Sequence, residues 1–241
     1  METTLHSRIA EVPATPNAIQ RLPRLLQDMG LTGINRPFEA GETVYTGGTG
    51  GDALHLILEG VVKIARTYPG GKEATLNLLG AGEAFGCPIF SGHSLPGFYA
   101  EALTSSTLIR VPKPLLDGAI KRSPRLAGEV MALKDRQLNA YEKLVGRLLT
   151  RRTPVRLADL LLELDQKFGV SGPTEGYPRT IGLRLTHEDL GNMVASTRES
   201  ISAAMGELRR AGAVSVVGGL IVVVDPGLLE RVSGERGMVG C

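Results

Sequence analysis

The sequence predicts an α+β fold: a β-rich N-terminal part, one long helix, and a small helical C-terminal part closed by a β-hairpin. Three observations carry this. From Gly33 to Pro112, short β-rich runs are separated by glycines. Leu126 to Leu149 is an unbroken helical pattern without proline. Leu185 to Leu208, LTHEDLGNMVASTRESISAAMGEL, holds two short helical patterns, each with its own start signal, and two β-branched runs follow it.

Composition bounds the function classes. The chain has 241 residues, room for one large domain or two small ones. Its formal net charge is only +2, so any positive surface for nucleic acid must be local. Cys87 and Cys241 are too few for a four-thiolate iron–sulfur cluster and form no zinc motif. No apolar run approaches the roughly 20 residues that cross a bilayer, and Arg8 leads into no apolar signal core. A cytoplasmic protein without a membrane partner is the expectation.

Taken in order, Met1 to about Asn17 lacks periodicity and carries Pro13 and Pro16, which predicts a loose arm over 1–17. Ala18 to Met29 predicts a short helix. Ala53–Glu59 and Val61–Tyr68 alternate as strands around Gly60, and Pro69-Gly-Gly71 turns into a run from Lys72 to Leu79. The long helix carries two apolar stripes. Leu126, Val130, Leu133, Ala140 and Leu144 form one, interrupted by Gln137; Met131, Leu138, Tyr141, Val145 and Leu148 form its neighbour. Either one packs on the β region and the other on a partner helix, or both make a single broad face within one subunit. Thr153-Pro154 is expected to end the helix as a hinge. Val155–Phe168 predicts another amphipathic helix, and 169–182 a glycine- and proline-rich loop with short strands near Arg179–Arg184.

In the C-terminal part, Thr186 with Asp189 and Ser196 with Glu199 each have the spacing of a capping box. The first helix is too short to stand alone and must pack on the second. Ile201, Ala204, Met205 and Leu208 share one face of the second, while Arg198, Glu199 and Ser202 lie away from it near the N-terminus. A DNA-binding helix-turn-helix presents its second helix to the major groove in this way. A capped helical hairpin in an ordinary core has the same periodicity. Val214–Val217 and Leu220–Val224 flanking Gly218-Gly219 then signal a hairpin, and helix, turn, helix, hairpin is the order of a winged helix.

The run LTHEDLGNMVASTRESISAAMGELRRAGAV resembles the DNA-binding domain of the cyclic-AMP receptor protein and fumarate-nitrate regulator family of bacterial transcription factors, with Thr197-Arg198-Glu199 at the start of the recognition helix. The resemblance extends from about Leu22 to Val224. It implies a cyclic-nucleotide-binding-type β-roll over 18–123, a dimerisation helix over 124–150, a winged helix-turn-helix over 151–228 and a tail over 229–241. It also implies a homodimer on double-stranded DNA, contact with RNA polymerase, and no enzymatic activity. The expected DNA contacts are Thr186, His187, Ser196, Thr197, Arg198, Glu199, Ser202 and Ala203.

The effector pocket departs from the family pattern. A cyclic nucleotide needs a cation for its phosphate and an acceptor for its ribose. The turn Ala84-Phe85-Gly86-Cys87-Pro88 puts Cys87 where cyclic-AMP-binding relatives hold a carboxylate. Their Arg-Ser pair falls near Pro96-Gly97, and their Thr-Ser pair on Tyr141-Glu142. Phe85, Gly86, Cys87, Gly97, Tyr141 and Glu142 are therefore the pocket candidates; regulation independent of cyclic AMP is the expectation, and a sensor requiring another small-molecule effector is the alternative. Phe98–Ala102 looks like the branch that senses 2-oxoglutarate, but Gly97 stands where that branch has arginine. His55 and His93 are weak candidates for haem ligation, and the four histidines are too scattered for a cupin-type metal enzyme. No metal and no cofactor are expected.

Overall fold

A computed structural model describes residues 21–31, 33–47, 53–86, 97–150, 152–171 and 179–234. The expected arm over 1–17, Cys87, His93, Pro96 and Cys241 lie outside them. The chain divides into two compact units, the first spanning Ala14–Glu142 and the second containing Lys143–Cys241.

The first unit opens with helix α1 (Arg21–Asp28), followed by strands β1 (Ile34–Phe38), β2 (Thr43–Thr46), β3 (Ala53–Glu59), β4 (Val62–Thr67), β5 (Glu73–Leu79), β6 (Ala84–Gly86), β7 (Phe98–Ala102) and β8 (Ser106–Pro112). They form two antiparallel four-stranded sheets, ordered β1-β8-β3-β6 and β2-β7-β4-β5. Because side chains alternate across a strand, each face of the first sheet meets a different layer. Ile57, Leu108 and Phe38 pack with Val62, Ile64, Ala100 and Ala102 of the second sheet. Leu54, Leu56 and Val111 pack outward against the helices. Those helices are α1, α2 (Lys113–Arg122), which no sequence signal marked, and α3 (Pro124–Leu148).

Ser123 accepts from the Leu126 N–H at 3.2 Å, and Pro124 opens α3 where a missing N–H costs nothing. Leu126, Val130 and Leu133 of the first stripe are buried in the outer core. Gln137 interrupts that stripe for a reason: its Nε2 donates to the Ala84 carbonyl of β6 at 3.3 Å. The second stripe is exposed, with Met131 at 52%, Leu138 at 65% and Val145 at 56%.

In the second unit Thr153 and Pro154 do not end α3, which stops at Leu148. They form the first turn of α4 (Thr153–Phe168), where proline is tolerated. Arg147 is 5% exposed, with its guanidinium donating to Asp159 at 2.9 Å and to Glu163 of α4. Strands β9 (Gly169–Ser171) and β10 (Arg179–Ile181) follow, then α5 (His187–Val194), α6 (Arg198–Arg210), β11 (Val214–Val217), β12 (Leu220–Val223) and α7 (Pro226–Gly234). The sheet order is β11-β12-β10-β9. Gly218 and Gly219 join β11 to β12 with φ of +58° and +81°, the paired positive values of a tight hairpin turn. Asp225 caps α7 by accepting from the Leu228 N–H at 2.9 Å, and Leu229 is fully buried. Residues 229–234 are thus part of the domain, which corrects the expectation of a tail from 229.

Candidate nucleic-acid interface

The site grows from two helix starts and the turn between them. At α5, Thr186 Oγ1 accepts from the Asp189 N–H at 3.1 Å, and the Thr186 N–H donates to Asp189 Oδ2 at 2.8 Å. Both halves of the expected capping box are present. The helix ends at Ala195 with φ of +48°, the only non-glycine residue with positive φ among those described. Gly191 lets the chain fold back: a Cβ there would lie 2.7 Å from the Ser196 carbonyl oxygen.

The second expected capping box is corrected. The N-cap of α6 is Thr197, which accepts from the Ser200 N–H at 3.2 Å. Ser196 instead sits 3.2 Å from the Thr153 hydroxyl and accepts from Arg156 at 3.5 Å, so the turn is tied to the start of α4. Glu199 is left on the first turn of α6. A hydrogen bond from its own backbone N–H, then one from Thr197, hold its carboxyl below the usual range, and the Arg198 charge adds to this.

Helix α6 divides cleanly. Ile201, Ala204, Met205 and Leu208 are at most 3% exposed and pack into the domain core. Arg198, Glu199, Ser202 and Ala203 are exposed on the other side. At about 1.5–3 kcal/mol for each large apolar side chain buried, this stripe fixes which face points outward. His187 Nδ1 lies 2.7 Å from Ser202 Oγ, a bond that ties the first residue of α5 to the outer face of α6. The structure therefore brings Thr197, Arg198, Glu199, Ser202 and Ala203 together, with His187 attached through Ser202. Ser196 is partly withdrawn into the turn, and the Thr186 hydroxyl is engaged with Asp189. Arg184 was not marked by any sequence signal. It is exposed, and its guanidinium is the nearest group, at 3.4 Å, to a Cβ built on Gly219 in the hairpin turn. Its position depends on strand pairing over distant residues, which no local pattern records.

The effector candidates occupy varied places in the first unit. Phe85 is 2% exposed and belongs to the inter-sheet core, stacked 5.2 Å from His55 and 6.1 Å from Tyr45. Gly86 and Gly97 have φ of +85° and +80°, and a Cβ on either would strike a backbone carbonyl, of Ala53 and Thr67 respectively. Tyr141 and Glu142 are exposed positions of α3. Burial, then the neighbouring Tyr141, push the Tyr45 hydroxyl above the usual tyrosine range, so Tyr141 lies beside β2. Among the described residues no group of three His, Cys, Asp or Glu side chains could hold a metal ion. No described helix is long and apolar enough to cross a membrane.

Comparison with known proteins bears on both units. Residues 35–123 match the cyclic nucleotide-binding domain, and residues 155–232 the Crp-like helix-turn-helix domain. The global nitrogen regulator of Synechococcus elongatus is 30% identical over 196 residues, 80% of this chain and 87% of that protein. A CRP-like cAMP-activated global transcriptional regulator of Mycobacterium tuberculosis is 29% identical over 220 residues, 90% of this chain and 92% of that protein. The crystal structure of a CRP/FNR-family transcriptional regulator from Thermus thermophilus superposes with a TM-score of 0.70 at 28% identity, covering 85% of this chain and all of the other. With this β-roll, this long helix and this exposed helix of a winged helix-turn-helix, the chain belongs to the Crp/Fnr family of DNA-binding transcriptional regulators.

Proposed function

We propose that the protein acts as a homodimer on a two-fold symmetric operator, with Arg198 and Glu199 reading bases and without a requirement for cyclic AMP. The observation that carries base reading is the outer face of α6: Arg198, Glu199, Ser202 and Ala203 are exposed at its N-terminal end, over a fully buried apolar stripe. An arginine fork suits the two acceptors of guanine, and a carboxylate suits the amino group of cytosine. Thr197 and His187, at the two helix starts, are placed to meet phosphates, where helix N-termini favour anions. Ala203 stands where relatives carry a second arginine and offers only a methyl contact to thymine. The half-site is then guanine-containing with a relaxed preference at one base. The exposed stripe Met131, Leu138, Tyr141, Val145 and Leu148 of α3 supports pairing with the same helix of a second copy. RNA polymerase is the partner expected once the dimer is seated on a promoter.

Binding-site selection on wild type and Arg198→Ala at one fixed salt concentration tests the assignment, since affinity shifts with ionic strength. The variant should lose about 1–3 kcal/mol and relax one operator position. Identical sequence preferences in the two proteins would make Arg198 a structural surface residue. Independence from cyclic AMP is supported by Tyr141, Glu142 and Gly97, which supply neither phosphate cation nor base partners. Calorimetric titration should show no micromolar binding of cyclic AMP, which would amount to about 8 kcal/mol.

A further inference from the structure

One hydrogen bond joins the two helices of the turn on the side that carries Arg198 and Glu199. His187 is the first residue of α5, and its Nδ1 lies 2.7 Å from the hydroxyl of Ser202, 15 residues on. Ser202 stands one helical turn beyond Arg198 on α6, so the two share a face. A serine inside a helix commonly turns its hydroxyl back to a carbonyl of the preceding turn. Here the hydroxyl reaches a ring on another helix, and Ser202 is exposed while His187 is half-buried.

The bond changes what the hydroxyl can read. A serine hydroxyl carries one donor and two acceptor lone pairs on a rotor, so an unheld serine bonds any base edge and distinguishes none. A partner that takes its proton leaves only lone pairs for the base. Neutral imidazole has one donor and one acceptor nitrogen, and the bond at one sets the role of the other. Nε2 stands on the far edge of the His187 ring, at a helix start whose backbone N–H groups favour an anion. With the proton on Nε2, His187 donates to a phosphate oxygen and accepts from Ser202 at Nδ1. With the proton on Nδ1, a lone pair would face the phosphate. Bound DNA therefore selects the first arrangement, in which Ser202 donates to His187 and turns its lone pairs outward.

We infer that His187 is a positioning residue that makes Ser202 an acceptor-only reader of a base amino group, that of adenine or cytosine, in the major groove. It rests on the reading above that the outer face of α6 meets bases.

Relative affinities of the full-length protein for selected operators, with all four bases permuted at each half-site position and salt fixed, test it. At one position wild type should favour adenine and cytosine over guanine and thymine on the contacted strand by about 3- to 10-fold, the worth of one net hydrogen bond. Ser202→Ala should abolish that preference. His187→Phe, a planar ring without an acceptor, should abolish it equally and leave the other positions unchanged. His187→Asn, whose amide oxygen can stand in for Nδ1, should keep it. A merely structural His187 would change affinity for all sequences alike and leave the preference in place. His187→Ala takes the place of His187→Phe if the melting temperature shows the latter to be misfolded. A preference that survives in folded His187→Phe, that is lost in His187→Asn, or that favours guanine and thymine would overturn the proposal. If Arg198→Ala then relaxes its own operator position, α6 still reads bases and only the His187 assignment falls. If Arg198→Ala also leaves every position unchanged, base reading by α6 fails with it.

Discussion

Gly191, Ala195 and Ser196 set the geometry of the turn between α5 and α6. Gly191 to Ala should gain up to about 1 kcal/mol of helix propensity. It also places a Cβ 2.7 Å from the Ser196 carbonyl, a backbone atom that cannot swing aside. Overpacking of that kind costs about 1–3 kcal/mol, so the clash wins and Gly191→Ala should lower both the denaturation midpoint and operator affinity. A raised midpoint would contradict the close approach. Ala195 holds φ of +48°, so a β-branched Ala195→Val should destabilise the domain by more than about 1 kcal/mol, measured by chemical denaturation.

Glu199 carries the pH prediction. Its folded-state carboxyl titrates below the usual range, chiefly through its own backbone N–H and Thr197. A depressed carboxyl contributes above its unfolded pKa and loses that contribution only as pH falls through the folded value. Glu199 should therefore stay ionised at neutral pH. The affinity difference between wild type and Glu199→Gln should hold constant between about pH 6 and 8 and shrink only in acid. A difference that changes steadily across that neutral window would show that the carboxyl titrates there.

The same residues show what is legible in a sequence and what is not. Thr186 with Asp189 is a complete local signal, and the structure contains it. Ser196-Thr197 offers two hydroxyls in a row, and either could cap α6. The choice is made by Thr153 and Arg156, more than a helix length away in sequence, which hold Ser196 and leave the cap to Thr197. Long-range contacts override a local pattern wherever two neighbouring residues could both fill the role.

Among elements, α3 is the informative one. Its two stripes are plain from periodicity, but which partner covers each is a tertiary matter. The first is buried in the outer core of the β-roll from Leu126 to Leu133; the second is exposed, with Leu138 at 65% and Val145 at 56%. Each large apolar side chain that a partner covers contributes about 1.5–3 kcal/mol. Leu138→Glu/Val145→Glu should shift the protein from dimer to monomer in sedimentation, with the fold of each unit retained because neither side chain is in a core. An unchanged mass would place the dimer contact elsewhere. The hairpin from β11 to β12 lies at the legible extreme, since two glycines in a row with positive φ leave few alternatives. The pairing of β1 with β8 lies at the other extreme. Arg36 and Arg110 are brought together only by the β1–β8 register, and no local motif in the chain marks them as neighbours.

At the scale of the whole molecule, a β-roll, a helix with an unburied stripe and a winged helix-turn-helix support the proposal that two copies present two α6 helices to one face of DNA. The small net charge of +2 fits this proposal, in which base reading falls to a few exposed side chains of α6 and any positive surface is local. The most direct test is solution mass measured alongside a footprint on an operator recovered by selection. The account predicts a dimer protecting two inverted half-sites centred about one helical turn apart, roughly 34 Å. A monomer protecting a single half-site without two-fold symmetry would contradict it.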